Sequence, residues 1–216
     1  MPPTTVARPI RRDAAANRER LLRAAARAVR RRGDAIAMTA IAAEAGVGIG
    51  TLYRHFPTRA ALLAALTDRS YQLVLSHARR AVDSPAPVPE VIARFLSDAI
   101  AAREQLVLPL HGGPIDLSPG AIAARTEISD RLERVLARGR REGSVRADVS
   151  AIDLIITSVL LARPLPHVTD WDGHARRQAA LYLAGLTGVE AAALPGRAPT
   201  RAALESGFRA QARAAP

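Results

Sequence analysis

Hydrophobic positions recur every three or four residues over most of the chain, and no stretch alternates as a half-buried β-strand does. This spacing predicts helices at 17–32, 39–45, 49–56, 58–80, 90–105, 121–141, 150–162 and 174–192. Proline- and glycine-rich joints separate them, most clearly at 83–87, 109–120 and 163–173. We therefore predict an all-α fold in which three N-terminal helices precede a larger helical part.

The two short helices at 39–45 and 49–56 have the features of a helix-turn-helix. Small side chains on the first let two helices cross closely, and Gly46 suits the tight turn because glycine adopts positive φ readily. Thr39 and Thr58 are expected to cap the helices that follow them. The side chains expected to fill the space against helix 17–32 are Ile41, Ala42, Ala45, Val47, Leu52 and Phe56.

Other side chains of this stretch lie outside that apolar set and are able to meet DNA. They are Gly50, Thr51, Tyr53, Arg54 and His55. Thr39, Thr51, Tyr53 and His55 offer hydrogen bonds to phosphate, and Arg59 adds a positive charge beside a helix N-terminus.

Positive charge is concentrated in the first part of the chain. Residues 1–60 hold 12 of the 31 arginines against four acidic residues, whereas the remainder holds 19 arginines against 16 acidic residues. Such a cluster indicates a polyanionic partner, either nucleic acid or an anionic membrane surface, unless the helix is merely solvated. Helix 17–32 has no Trp or Phe on its apolar face, which disfavours the membrane alternative.

The stretch from Thr39 to Arg59 resembles the DNA-binding motif of the TetR family, commonly written T..IA..AGVS.GTLY.HF.SKE.L. The matching positions are Thr39, Ile41, Ala42, Ala45, Gly46, Val47, Gly50, Thr51, Leu52, Tyr53, His55, Phe56 and Leu62. Gly48, Arg59 and Ala60 depart from it, standing where Ser, Lys and Glu are usual. The resemblance covers about residues 17–66. The rest of the chain is similar in length, helix content and a Gly-x-x-x-x-Asp spacing that ends at Asp148.

This resemblance implies a ligand-responsive transcriptional regulator, a repressor that a small-molecule effector releases from a palindromic operator. It implies that Ile49, Gly50 and Tyr53 approach base edges. The residues that it implies to hold phosphates are Thr39, Thr51, His55 and Arg59. A helical wheel differs in part from these implied contacts, because it places Ile49 beside the buried face and points Arg54 outward. We therefore include Arg54 as a further expected DNA contact. The alternative is a basic peripheral-membrane or other non-enzymatic binding protein.

The breaks in the pattern divide the chain into four segments. We expect a flexible basic arm at 1–16, the DNA-binding domain at 17–57, a ligand-binding and dimerisation domain at 58–194 and a disordered tail at 195–216. Helix 150–162 is apolar nearly all round and must be buried on both sides. The resemblance implies a homodimer in which this helix and 174–192 form a four-helix bundle with their copies, the alternative being a core helix of one chain.

The helices beyond residue 60 carry more apolar faces than one core needs, which predicts a cavity for a small hydrophobic effector with an anionic or carbonyl group. Its expected apolar residues are Phe95, Ile100 and Leu132, and its expected polar residues are Arg103 and His111. The alternative is a solid core with a solvated Arg103.

Other classes of site have weaker support. The chain has no cysteine, so it forms neither disulfides nor thiolate metal sites. The loop from His167 to His174 holds two aspartates and two histidines, and we interpret it as a polar loop rather than a metal site. No hydrolase, zinc-protease or paired-carboxylate motif is present, so we expect neither enzymatic activity nor a cofactor. Without a secretory signal or membrane span, the expected location is the cytoplasm.

Overall fold

The computed structural model describes residues 7–32, 36–107, 117–165, 168–187, 194–203 and 205–206. Within the first of these ranges, side chains are described only for residues 17–29. Over these ranges the chain is helical and has no strand, which confirms the all-α prediction. A single 3₁₀ turn, Arg103–Gln105, follows the fifth helix. The helices are α1 (Ala7–Arg32), α2 (Met38–Ala45), α3 (Ile49–His55), α4 (Arg59–Asp83), α5 (Val88–Ala101), α6 (Pro119–Arg141), α7 (Ala151–Leu161) and α8 (Trp171–Thr187).

The chain forms two compact units whose boundary lies inside α4. The N-terminal unit comprises the chain up to Ser70 together with Glu104–Leu108, and the C-terminal unit comprises the remainder. The sequence placed this boundary at 57/58. The difference arises because Leu62 and Leu66, in the first turns of α4, are buried in the N-terminal core.

Helix α1 begins at Ala7, so the prediction of a flexible arm is wrong for residues 7–16. Pro9 does not prevent this start, because the first four N–H groups of a helix have no partner within the helix. Ala14, Ala15 and Ala16 then favour helix strongly. Further along, α1 buries an apolar face that packs against α2.

Helix α5 is the central element of the C-terminal unit. Its buried side chains recur every three or four residues from Val88 to Ile100, and it packs against α6, α7 and α8. Gly139 of α6 allows α5 and α6 to approach closely, because it has no side chain. A Cβ at this position would lie 2.6 Å from Val145 Cγ2 and 2.8 Å from Val88 Cγ1.

Side-chain caps fix where the later helices begin. Ser150 and Asp153 form a reciprocal capping box at α7. The Asp170 carboxylate accepts from the N–H of Gly173 at 3.1 Å, and α8 therefore begins at Trp171 rather than at residue 174. The indole N–H of Trp171 donates to the carbonyl of Leu161 at 2.9 Å, joining the start of α8 to the end of α7.

The C-terminal strap, which we define as residues 194–203 with 205–206, follows a defined course over the C-terminal unit. The Leu194 N–H donates to Asp148 at 3.1 Å, and the Ser150 hydroxyl donates to the carbonyl of Pro199 at 2.9 Å. Arg201 then pairs with Asp130 on α6 at 2.7 Å. The prediction of a disordered tail from residue 195 is therefore wrong for the strap, because composition alone does not reveal these distant partners.

Candidate nucleic-acid interface

The turn between α2 and α3 has the geometry that its glycines predict. Gly46 lies at φ 65° and ψ 35°, a left-handed conformation that confirms the expected positive φ. The next N–H, that of Val47, donates to the carbonyl of Ala42 at 3.1 Å. Gly48 is the N-cap of α3, and its carbonyl accepts from the N–H of Thr51 at 2.9 Å. These bonds set the direction in which α3 leaves the turn.

Buried side chains hold α3 in place. Leu52 and Phe56 lie in the N-terminal core beside Leu21 and Leu22 of α1. The guanidinium of Arg18 lies over the Phe56 ring, 5.2 Å from its centroid, a cation–π geometry. Arg18 was not singled out from the sequence, since a motif search limited to 39–59 does not reach α1.

The opposite face of α3 is open to solvent. Tyr53 is 47% exposed and Ile49 is 38% exposed, and Gly50 and Arg54 are exposed beside them. Ile49 and Tyr53 are four residues apart, as are Gly50 and Arg54, so all four share one surface of the helix. Ile49, which the helical wheel places beside the buried face, is itself exposed, because it lies in the first turn of α3.

The predicted phosphate-binding residues differ in their surroundings. Thr39 is exposed, whereas Thr51 and His55 are half-buried. Thr39 does not cap α2 as expected, since the helix begins at Met38 with Ala37 at the N-cap and no side-chain cap bond. The start moves because Met38 is itself buried in the N-terminal core. As a helical residue in the first turn, Thr39 keeps its hydroxyl on the surface.

The beginning of α4 completes this part of the molecule. The Thr58 hydroxyl accepts from the N–H of Ala61 at 3.0 Å, which confirms the predicted cap. The Arg59 guanidinium donates to the carbonyl of Ile36 at 3.1 Å and is half-buried. Arg59 thus fastens α4 to the segment before α2, a positioning role that the sequence did not predict.

A short segment from beyond α5 belongs to the N-terminal unit. Buried Ser70 accepts from the N–H of Val107 and donates to the carbonyl of Leu66, both at 2.8 Å. The adjacent guanidinium of Arg69 donates to Gln105 Oε1 at 2.9 Å. Residues 104–107 are therefore bound to α4 within the N-terminal unit.

Four of the five predicted effector residues are described by the structure, and they lie in the C-terminal unit. Phe95, Ile100 and Leu132 are buried together in its core. Arg103 pairs with Asp172 of α8 at 2.5 Å and is mostly buried, so it is not the solvated residue of the alternative interpretation. His111 lies outside the described residues.

The loop at 163–173 does not assemble a metal site in the described part of the chain. Asp170 caps α8 and Asp172 pairs with Arg103, while His167 lies outside the described residues. No group of three His, Cys, Asp or Glu side chains suited to a metal ion occurs among the described residues. In the same ranges, every helix is too short or too polar to cross a membrane.

The exposed face of α3, the turn at Gly46 and the separate helical unit define a class, that of helix-turn-helix regulators. Comparison with known proteins identifies the family. The sequence model described as "Bacterial regulatory proteins, tetR family" matches residues 21–66. A second, described as "Transcriptional regulator SbtR-like, C-terminal domain", matches residues 89–188. The chain belongs to the TetR family.

Individual relatives agree with this assignment. A TetR transcription regulatory protein from Mycobacterium vanbaalenii is 32% identical, with a TM-score of 0.60 over 83% of this chain and 99% of that one. The transcriptional repressor KstR of Rhodococcus jostii is 24% identical over 63% of this chain. An HTH-type regulator of Staphylococcus aureus is 35% identical over 34% of this chain. The matched stretches span 65% and 40% of those two curated relatives.

Proposed function

We propose that this protein is a DNA-binding transcriptional repressor that occupies a palindromic operator as a homodimer and leaves it when a small molecule binds. The observation that carries the proposal is the solvent-facing surface of α3, on which Ile49, Gly50, Tyr53 and Arg54 lie together above a buried Leu52. A short helix held rigidly from behind and open in front suits insertion into the major groove. Such a protein acts beside the chromosome, in the cytoplasm.

The DNA contacts divide into two kinds. Ile49, Gly50 and Tyr53 are proposed to face base edges, and Arg54 is an additional donor on the same surface. Thr39, Thr51, His55 and Arg59 are proposed to bind phosphates, with the exposed Arg18 beside Phe56 as a further cation. The excess of arginine over acidic residues in 1–60 supports binding that weakens as salt rises.

Dimerisation is supported by apolar side chains that the chain itself leaves exposed. On α7, Leu160 is 62% exposed and Ile156, one turn earlier, is 41% exposed. Leu181 on α8 is 57% exposed. Exposed apolar side chains on two helices that contact each other are typical of an interface with a partner. We propose a two-fold dimer through α7 and α8, which would present two α3 helices to half-sites about one helical turn of DNA apart, or a multiple of that.

The response to an effector is supported by the presence of a second helical unit and by one relative of the same fold. The structure of AibR, 19% identical with a TM-score of 0.62, is described as a complex with isovaleryl coenzyme A and operator DNA. We propose that this chain likewise couples ligand binding to DNA binding. Couplings of this kind are typically about 1–3 kcal/mol and act equally in both directions.

The experiment that tests the DNA proposal is selection of duplexes from a random pool by the purified protein, followed by fluorescence anisotropy on the recovered site. Tyr53→Ala and Arg54→Ala are expected to weaken binding. Arg94→Ala is the matched control, since it removes an exposed arginine from α5 in the other unit. If no sequence is enriched, or if the three variants bind alike, the proposed interface is wrong.

A further inference from the structure

The exposed apolar side chains of the N-terminal unit are confined to one helix surface. Among the described residues of that unit, the large apolar side chains that are exposed are Ile49 and Tyr53, both on α3. They lie four residues apart and therefore share one side of the helix. Leu52 is fully buried and holds the other side against the core. Helix α3 thus has one apolar side in the core and a second apolar surface that the described chain leaves uncovered.

Gly50 lies beside this apolar pair, and neither its conformation nor its packing requires a glycine. Its φ is not positive, so other residues could adopt its conformation. A Cβ built at Gly50 would meet nothing within 4 Å. Gly46 is different because its φ is positive, and Gly139 because its neighbours leave no room for a Cβ. The space at Gly50 is therefore open to a partner of the chain.

We define the surface formed by Ile49, Gly50 and Tyr53 as the apolar notch. Helical geometry places Gly50 between Tyr53 and Arg54 around the helix, so the missing side chain leaves a gap between an aromatic ring and a guanidinium. Ile49 is β-branched and has few rotamers. The N–H of Thr51 donates to the carbonyl of Gly48 at 2.9 Å, which fixes the first turn of α3. The notch is therefore largely formed before a partner binds.

The charge around the apolar notch favours duplex DNA as its occupant. Arg54 is exposed on the same surface, and residues 1–60 hold 12 arginines against four acidic residues. A positively charged surface attracts duplex DNA, whereas it offers no comparable attraction to an apolar protein partner.

The chemistry of the notch decides which group of the DNA it suits. Neither Ile49 nor Gly50 has a hydrogen-bond donor or acceptor in its side chain, so these two positions cannot read the polar pattern of a base edge. The apolar group that bases present in the major groove is the C5-methyl group of thymine. Burial of this methyl group against Ile49 and the ring of Tyr53 is favourable because it removes apolar surface from water.

We propose that the apolar notch receives the C5-methyl group of one thymine in each half-site of the operator. Ile49 and Tyr53 contact the methyl group, and Gly50 provides the clearance that lets α3 approach the base edge. Arg54 contributes positive charge and does not distinguish thymine from other bases at that position. This inference rests on the proposed function and deepens it, because it names the base and the chemical group that α3 recognises.

The test removes this methyl group from the DNA and leaves the rest of the duplex unchanged. Duplexes selected from a random pool by the full chain give the half-site, and each of its thymines is then replaced in turn by deoxyuridine. Fluorescence anisotropy should find one thymine per half-site at which the replacement weakens binding about fourfold, as expected for loss of one buried methyl-sized group. Equal affinities for the thymine duplex and all the deoxyuridine duplexes would overturn the proposal.

Ile49→Ala should abolish the preference for thymine over deoxyuridine at that position, because it removes the apolar partner of the methyl group. Arg54→Ala is the matched variant on the same surface. It should weaken binding to both duplexes alike and leave the ratio of their affinities at about fourfold. The same ratio in Ile49→Ala as in the parent would overturn the contact with Ile49. The deoxyuridine measurement on the parent chain decides the proposal even if Ile49→Ala does not fold.

Gly50→Ala tests the clearance between α3 and the DNA. It should weaken operator binding at least about tenfold, because the added methyl group fills that space, and it should not lower the melting temperature of the free protein. Gly120→Ala is the matched control, since Gly120 is also exposed and is the second residue of α6, as Gly50 is of α3. Equal operator affinity in the two variants would overturn the close approach at Gly50.

Failure of this inference and failure of the proposed function give different results. If no duplex is enriched from the pool, the notch serves a partner other than DNA, and both the repressor and the thymine site are contradicted. If a duplex is enriched and bound but no thymine in it shows the deoxyuridine effect, only the thymine site is overturned and the DNA-binding function stands.

Discussion

Arg69 on α4 donates from Nε to the carboxylate of Glu19 on α1 at 2.9 Å, although fifty positions separate the two residues. The same guanidinium donates to the side-chain oxygen of Gln105, in the segment that follows α5. One side chain thus joins the first helix, the fourth helix and a distant segment within the N-terminal unit. The scaffold that supports α3 therefore depends on residues well outside the helix-turn-helix motif.

Arg69→Met should destabilise the protein by about 2 kcal/mol, because it leaves a carboxylate and an amide without their charged donor. Chemical denaturation gives this free energy of unfolding. The control is Arg79→Met, which breaks an exposed arginine–carboxylate pair and should have a much smaller effect. Equal losses in the two variants would show that the Arg69 contacts add nothing beyond a surface ion pair.

Gly139→Ala should destabilise the C-terminal unit by about 1–3 kcal/mol. The added Cβ would overlap with the branched carbons of Val88 and Val145, which have little freedom to move aside. At Gly120, on the same helix, an added Cβ would meet only the Ser118 oxygen at an ordinary 3.5 Å. Gly120→Ala is accordingly the control, and thermal melting of the two variants should separate them clearly.

If the proposed dimer forms through α7 and α8, Leu160→Glu and Leu181→Glu should each give a monomer, since they place a charge on exposed apolar positions of these helices. Light scattering measures the mass directly. Ile122→Glu alters an apolar residue on α6 that is 46% exposed and should leave the mass unchanged. Ile155 and Leu183 are poorer choices, because both pack against the core of their own chain. A dimer that persists in both α7 and α8 variants would place the interface elsewhere.

His55→Gln and Arg59→Met should affect the protein differently. Both are expected to weaken binding to every duplex sequence, as loss of a phosphate contact does. Arg59→Met should also lower the melting temperature of the free protein, because Arg59 donates to the carbonyl of Ile36. Anisotropy and thermal melting measured on each variant distinguish the two effects. An unchanged melting temperature in Arg59→Met would show that its hydrogen bond does not position α4.

Stability should fall as the pH drops below about 7, through His77. Its pKa is lowered mainly by burial and also by Arg80, while Asp98 opposes the shift. The unfolded chain therefore takes up a proton first as pH falls through the ordinary histidine pKa of about 6.5, which favours unfolding. His77→Gln should flatten the melting temperature between pH 7 and 5. A parent and variant with parallel profiles would exclude His77 as the cause.

A second pH effect is expected in a separate window. Hydrogen bonds from Arg79 and Arg131 lower the pKa of Glu127 to about 2. Because this folded-state pKa lies below that of the unfolded chain, the stabilisation is present above about pH 4.5 and is lost as the pH falls towards 2. Glu127→Gln should reduce the acid sensitivity of melting below pH 4.5 and leave the His77 window unchanged.

The sequence by itself determined the helical class and the register of the helix-turn-helix. Gly46 in the turn, Leu52 and Phe56 behind α3 and Thr58 at the start of α4 occupy the roles that their spacing predicts. Each of these roles depends on neighbours within a few residues, through backbone conformation, helical periodicity or a local cap. Interactions of such short range can be predicted from the order of the residues alone.

Only the tertiary structure decided the pairings between distant helices. In the structure the boundary between the units lies inside α4. Arg69 pairs with Glu19, Arg103 with Asp172 and Arg125 with Glu205. The tertiary structure also left Ile49 exposed, although the helical wheel places this residue beside the buried face. Periodicity shows which face of a helix is apolar but not which helix covers it. The partner of a long charged side chain depends on how the helices pack against one another, which the spacing of residues along one helix does not contain.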